Sequence, residues 1–222
     1  MEKALSPTFL DSTIGKKVVM AVTGIILFGF VVGHMLGNLQ VYLGPKALND
    51  YGASLRTLGH GGAIWVARGT LLVAVALHIG SAISLARRNG AARATRYKMF
   101  RPRASTYASR TMYLSGPILA LFIVYHILHL TTGTAHPGFH EGDVYRNFIT
   151  GFQQPAVSAF YIVAMVALGL HMRHGIWSLL HTVGLAHPRW NPLRNAFATV
   201  VTAAVVLGNI SFPVAVLTGF LK

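Results

Sequence analysis

Five long apolar stretches, joined by loops of 12 to 24 residues, constrain this chain more than any other feature of it. They run Val18–Leu43, Ile64–Ala86, Thr111–Thr132, Ala156–Val183 and Ala196–Leu221. Each reaches the ~20 residues that a helix rising 1.5 Å per residue needs to cross about 30 Å of hydrocarbon. In lipid every backbone N–H and C=O must find its partner within the structure, so stretches of this length read as helices. The sequence therefore predicts an all-α integral membrane protein of five transmembrane helices, one domain over residues 1–222. Composition agrees. Charged residues make up 11% of the chain, against roughly 25% in an ordinary soluble domain. The first stretch is too long for a signal-peptide core, and no small-residue cleavage site follows it, so it is expected to be a retained span.

The charges that remain are clustered. Lys3, Lys16 and Lys17 precede the first span, and Arg87, Arg88, Arg93, Arg96, Lys98, Arg101, Arg103 and Arg110 fill the second loop. With Arg189 and Arg194 these are 13 of the 19 basic residues, all on one side if five helices alternate. The other side holds Lys46, Arg56, Arg146 and Lys222 with Asp50, Glu141 and Asp143. The positive-inside rule then places the N-terminus in the cytoplasm and the C-terminus outside, in a bacterial inner (cytoplasmic) membrane. The same clustering accounts for the net charge of +14 without nucleic acid, and no nucleic-acid role is expected. No cysteine is present, which excludes disulfides, thiolate zinc sites, cysteine-ligated iron–sulfur clusters and covalent c-type haem.

Seven of the eleven histidines lie in or at the edges of apolar spans. A lone intramembrane histidine ordinarily hydrogen-bonds a neighbouring helix; seven ask for more, because polar groups in hydrocarbon are costly unless paired or liganded. Depth sorts them. His34 and His126 lie about 24–25 Å along outward-running helices from Lys17 and Arg110. His78 and His171 lie about 20–24 Å along inward-running helices from Trp65 and Pro155. One histidine on each of the first four helices thus forms two pairs at two depths. Neutral imidazole is a strong ligand for haem iron, and a four-helix bundle can hold such a cofactor in its core. The reading is two b-type haems in a bundle of the first four helices, with axial ligands His34, His78, His126 and His171. His129 and His174, three residues after two of these, stay open as alternatives, since one turn is only ~5.4 Å. Arg68 and Arg173, inside spans, are candidates for haem propionates, with snorkelling as the alternative. Gly29, Gly33 and Gly37 read equally as helix packing or as room for a flat porphyrin. His181 suits a propionate or the interface. His60, His136, His140 and His187 are expected to be solvated loop residues.

Several runs carry a family resemblance. They are Ser12-Thr13-Ile14-Gly15-Lys16-Lys17 through Met20-Ala21-Val22-Thr23-Gly24, and Gly33-His34-Met35-Leu36-Gly37-Asn38-Leu39. Leu77-His78-Ile79, Tyr125-His126-Ile127-Leu128 and His171-Met172-Arg173-His174-Gly175-Ile176-Trp177-Ser178 complete the set. In this order and spacing the chain resembles the membrane-anchor cytochrome b subunit of succinate:quinone oxidoreductases, of the single-chain, five-helix, two-haem type. The resemblance spans essentially the whole chain. It implies His34 with His126 for the distal haem and His78 with His171 for the haem nearer the cytoplasm, and it argues against His129 and His174. It also implies a flavoprotein (FAD) and an iron–sulfur subunit docked on the cytoplasmic face, with electrons passing through the haems to membrane quinone. Some relatives place a glutamate two residues before the fourth ligand as a proton path. Here that residue is Gly169, and no Asp or Glu lies in any span, so no such path is expected.

The resemblance leaves the quinone, menaquinone or ubiquinone, unplaced. Donors near a haem edge are Asn38, Gln40, Tyr42 and His129 on the outer side, and Arg87, Ser81 and Trp177 on the inner side. A higher oligomer of the complex is compatible with the sequence but not indicated by it. Two rivals stand beside this reading: a di-haem cytochrome b of a hydrogenase or formate dehydrogenase, and a haem-free transporter. A transporter would more naturally show intramembrane acids or broken helices.

Overall fold

The computed structural model describes residues 9–92, 107–185 and 187–222. Lys3, Arg93, Arg96, Lys98, Arg101 and Arg103, which carry part of the charge asymmetry, lie outside them. Five long helices take up the five apolar stretches: α1 (Thr13–Asn38), α3 (Gly62–Ala91), α5 (Met112–Leu130), α7 (Pro155–Thr182) and α8 (Asn191–Leu217). Between them stand three shorter helices, α2 (Pro45–Thr57), α4 (Tyr107–Arg110) and α6 (Val144–Phe152).

Local chemistry sets the ends. α1 starts five residues before its apolar stretch because Ser12 caps it, its hydroxyl accepting from Gly15 N–H at 2.9 Å. Proline in the first turn opens α2, α7 and α8, where its missing N–H costs nothing. Mid-helix side chains then reveal the solvent. Leu72, Leu121, Val200 and Leu207 are each about two-thirds exposed or more, far outside what water tolerates as a continuous surface. Lipid is the solvent for these faces.

The long helices form two pairs. α1 packs closely on α3, and α5 on α7, with α8 laid along the back of α7. Among the described residues α3 packs closely on α1 and α2, and contact between the two pairs runs mainly through α1 against α7. One end of the bundle carries the described residues Lys16, Lys17, Arg87, Arg88, Arg110, Arg189 and Arg194, and is called the basic end here. The other is closed by a cap made of the 3-10 turn Leu39–Leu43, α2, α6 and the loops around them. Val41, Leu48, Phe148, Ile149, Phe152, Phe212 and Leu221 are buried under this cap.

Asp143 ties the cap together. Its carboxylate accepts from Arg146 N–H at the start of α6 and from Asn49 Nδ2 on α2, each at 3.0 Å. Those donors hold its pKa below the usual carboxylate range. A depressed carboxylate contributes stability that is present above its unfolded pKa and lost as pH falls through the folded one. Asp143→Ala should therefore cost about 1 kcal/mol, as helix-cap losses do. Amide exchange in α6 should rise to match, and wild type should approach the variant only in strong acid.

Candidate functional site

The two helix pairs present histidines to one another. The His34 and His126 rings meet edge to face with centroids 5.7 Å apart, and His78 and His171 face each other at 6.2 Å. Each pair joins a helix of the α1–α3 layer to one of the α5–α7 layer. Register sets their levels. His34 and His126 each lie four residues before the capped-end terminus of their helix; His78 and His171 each lie 16 residues beyond theirs. At 1.5 Å per residue the pairs sit about 6 Å and about 24 Å from that end.

Three of the rings are held at Nδ1 by a hydroxyl. Thr23 Oγ1 lies 3.2 Å from His78 Nδ1, Ser115 Oγ 3.4 Å from His171 Nδ1, and the Tyr161 hydroxyl 3.3 Å from His126 Nδ1. His34 differs: Asn38 Nδ2, one turn on, donates to its Nε2 at 3.2 Å, and Phe30 stacks on the ring. An Nδ1 partner fixes the tautomer and turns Nε2 inward, which is how metal-ligating histidines are oriented. Sequence reading passed over Thr23, Ser115 and Tyr161.

The pairs also have the right spacing for a shared metal. Two imidazoles bound to one metal from opposite sides, each at about 2 Å, hold their ring centroids roughly 6 Å apart. Among the described residues no three His, Cys, Asp or Glu side chains converge as a bare metal ion would require. A prosthetic group that carried its own metal would need only the two facing ring nitrogens of each pair. Gly29 and Gly33 of α1 are exposed, and a Cβ on either would meet nothing within 4 Å. Gly37 is different, pressed against the Tyr51 ring of α2, so the glycine stripe divides between open space and packing.

The remaining candidates scatter. Arg68 is exposed, with its guanidinium over the Trp65 ring at 4.9 Å. Arg173 donates through Nε to Thr199 on α8 at 3.2 Å. Two residues from His171 is about 200° around a helix, so this arginine points to the back of α7. The Tyr42 hydroxyl donates to Ser211 on α8, Gln40 is half-buried, and His129 is buried against Tyr161 at 3.0 Å. Ser81 is buried, Arg87 exposed, and Trp177 lies beside Arg194 and the exposed His181. His174 is half-buried. A shallow apolar cleft of about 260 Å³ opens between α5 and α7, lined by Tyr125, Ala156, Val157 and Phe160. Tyr125 stacks on His129 at 5.4 Å.

One expectation is corrected. His136 is not a solvated loop residue: it is 6% exposed, stacked on His129 at 4.7 Å, with Nε2 3.1 Å from Thr150 Oγ1. His60, His140 and His187 are exposed as expected. Burial pushes the His136 pKa down, so the folded cap prefers the neutral ring. The unfolded chain keeps the ordinary value near 6.5. Stability of this loop should then fall as pH drops below about 6.5, and His136→Phe should remove that dependence in amide exchange over residues 131–143.

Fold and site together define an integral membrane helical bundle whose core holds two facing histidine pairs, one above the other. Residues 87–210, more than half of the chain, match the family described as the succinate dehydrogenase/fumarate reductase transmembrane subunit, and the chain belongs to that family. It is therefore the membrane subunit of an oxidoreductase complex. The match includes His126 and His171; His34 and His78 precede it. Neither the curated proteins nor the solved structures give a match.

Proposed function

We propose that this subunit binds two b-type haems, His34 and His126 ligating one and His78 and His171 the other. It would carry electrons between the soluble subunits of its complex and membrane quinone. The observation that carries this reading is the pair of ring separations, 5.7 and 6.2 Å, between histidines on facing helix pairs. A haem held by two imidazoles supplies one-electron exchange with no vacant position for oxygen. The chain's own residues do the rest. Thr23, Ser115 and Tyr161 orient three of the rings, and ligation at His34 Nε2 takes the place of the Asn38 amide. Phe30 and Phe122 pack against the outer pair and keep it dry.

The basic end is the cytoplasmic one in this reading, with the N-terminus inside and the C-terminus outside. Its arginines and lysines face the docked iron–sulfur and flavoprotein subunits and anchor that end to the headgroups. Quinone exchanges electrons at one haem edge. Asn38, Gln40, Tyr42 and His129 are the candidates near the outer pair, and the Tyr125–Phe160 cleft offers an apolar landing face beside them. Of the two arginines, Arg68 keeps the freer guanidinium for a propionate, since Arg173 is engaged with Thr199.

Pyridine-haem quantification on the intact complex tests the reading. Two haems per chain, co-purifying with a flavin and succinate- or fumarate-linked quinone activity, are expected. One haem, or none, would overturn the four-ligand assignment.

A further inference from the structure

Thr23 sits in the Met20–Gly24 run of α1, eleven residues from His34, and is 4% exposed. Its hydroxyl has a single hydrogen. The Val19 carbonyl, an acceptor only, takes it at 2.7 Å, and the Met20 carbonyl lies farther off at 3.2 Å. Toward His78 Nδ1, 3.2 Å away, the Thr23 oxygen can then only accept. The imidazole must donate, so its proton sits on Nδ1 and the lone pair on Nε2, with the Met20 carbonyl a second acceptor beside the ring. Gly24 flanks the same ring, with room for no more than ordinary contact: a Cβ there would lie 3.6 Å from His78 Cε1. The helix that carries a ligand of the outer pair thus also shapes a ligand of the inner pair.

We infer that Thr23 is a positioning residue for the inner metal site, locking His78 in the Nδ1–H tautomer and making its Nε2 a stronger donor. This rests on the proposed haem ligation by His78. A hydrogen bond from Nδ1–H raises imidazole basicity, which stabilises ferric over ferrous iron and lowers the potential. Loss of the hydroxyl should raise it.

The test is a redox titration of the intact complex carrying Thr23→Val, which keeps the shape and removes the hydroxyl, and Thr23→Ser, which restores it. In Thr23→Val the midpoint of the inner haem should move to higher potential and its ferric low-spin EPR signal should shift, while the outer haem stays at its wild-type value. Thr23→Ser should return both readouts to wild type. If Thr23→Val loses the inner haem outright, Thr23→Ser must retain it at the wild-type potential. Unchanged potentials and EPR in Thr23→Val, equal movement of both haems, or failure of serine to rescue would overturn the inference. Retention of both haems in His78→Ala would instead overturn the ligand assignment beneath it, a result separable from any Thr23 outcome.

Discussion

His78→Ala is expected to halve the haem content of the purified complex, and His126→Ala to halve it as well while removing the other haem. The two losses should be distinguishable in a redox-titrated spectrum, because each variant keeps a component that the other lacks. Geometry gives the reason. Each ring faces a partner on the opposite helix pair, and the two levels are about 18 Å apart along helices rising 1.5 Å per residue. Removing a ligand at one level leaves the other level's rings and their hydroxyl partners in place. His171→Ala should reproduce the His78→Ala spectrum, and His34→Ala that of His126→Ala. If His129→Ala or His174→Ala removed a haem and these variants did not, the ligands would lie one turn along their helices.

Gly169→Glu should be strongly destabilising. A Cβ at this position would come within 2.9 Å of Val206 Cγ2 on α8, a branched side chain with little freedom to yield. Overfilling a packed contact costs about 1–3 kcal/mol. A carboxylate forced into the α7–α8 seam adds a desolvation cost, offset only in part by Arg173, which lies one turn on and donates to Thr199 of α8. Gly169→Ala should show the first part alone, as a lowered temperature for haem release, and Gly169→Glu should fail to assemble or release haem at far lower temperature. A Gly169→Glu complex as stable as wild type would mean that the seam opens readily. The close contact adds to the sequence observation that no acid occupies this place: no side chain fits here without displacing Val206.

The long helices were legible because lipid simplifies the code. A stretch of apolar residues of sufficient length has one stable form in a membrane, and each of the five long helices overlaps one expected stretch, with ends up to five residues apart. The cap was not legible. α2 and α6 are short and amphipathic, so a window tuned to membrane spans passes over them, and their burial depends on Asn49, Asp143 and Tyr145 meeting across 94 or more residues. His136 became a buried residue for the same reason: what covers it is the fold of its own loop over α6. Arg173 could have been read better, since two residues from a ligand is the far side of a helix. The hydroxyl partners also left a signal. Thr23 and Ser115 each lie eleven residues before the candidate ligand on their own helix, and Tyr161 lies ten. Eleven residues is three turns, which returns a side chain to nearly the same face at the depth of the other pair.

The slack between the helix pairs bears on how such a subunit is made. Among the described residues α3 is a leaf packed on α1 and α2, with no close packing of its edge against α5. A planar cofactor could slide sideways out of the bilayer between these leaves once all five helices are inserted, with no need to unfold the bundle. Loading would then clasp the two leaves together from both depths.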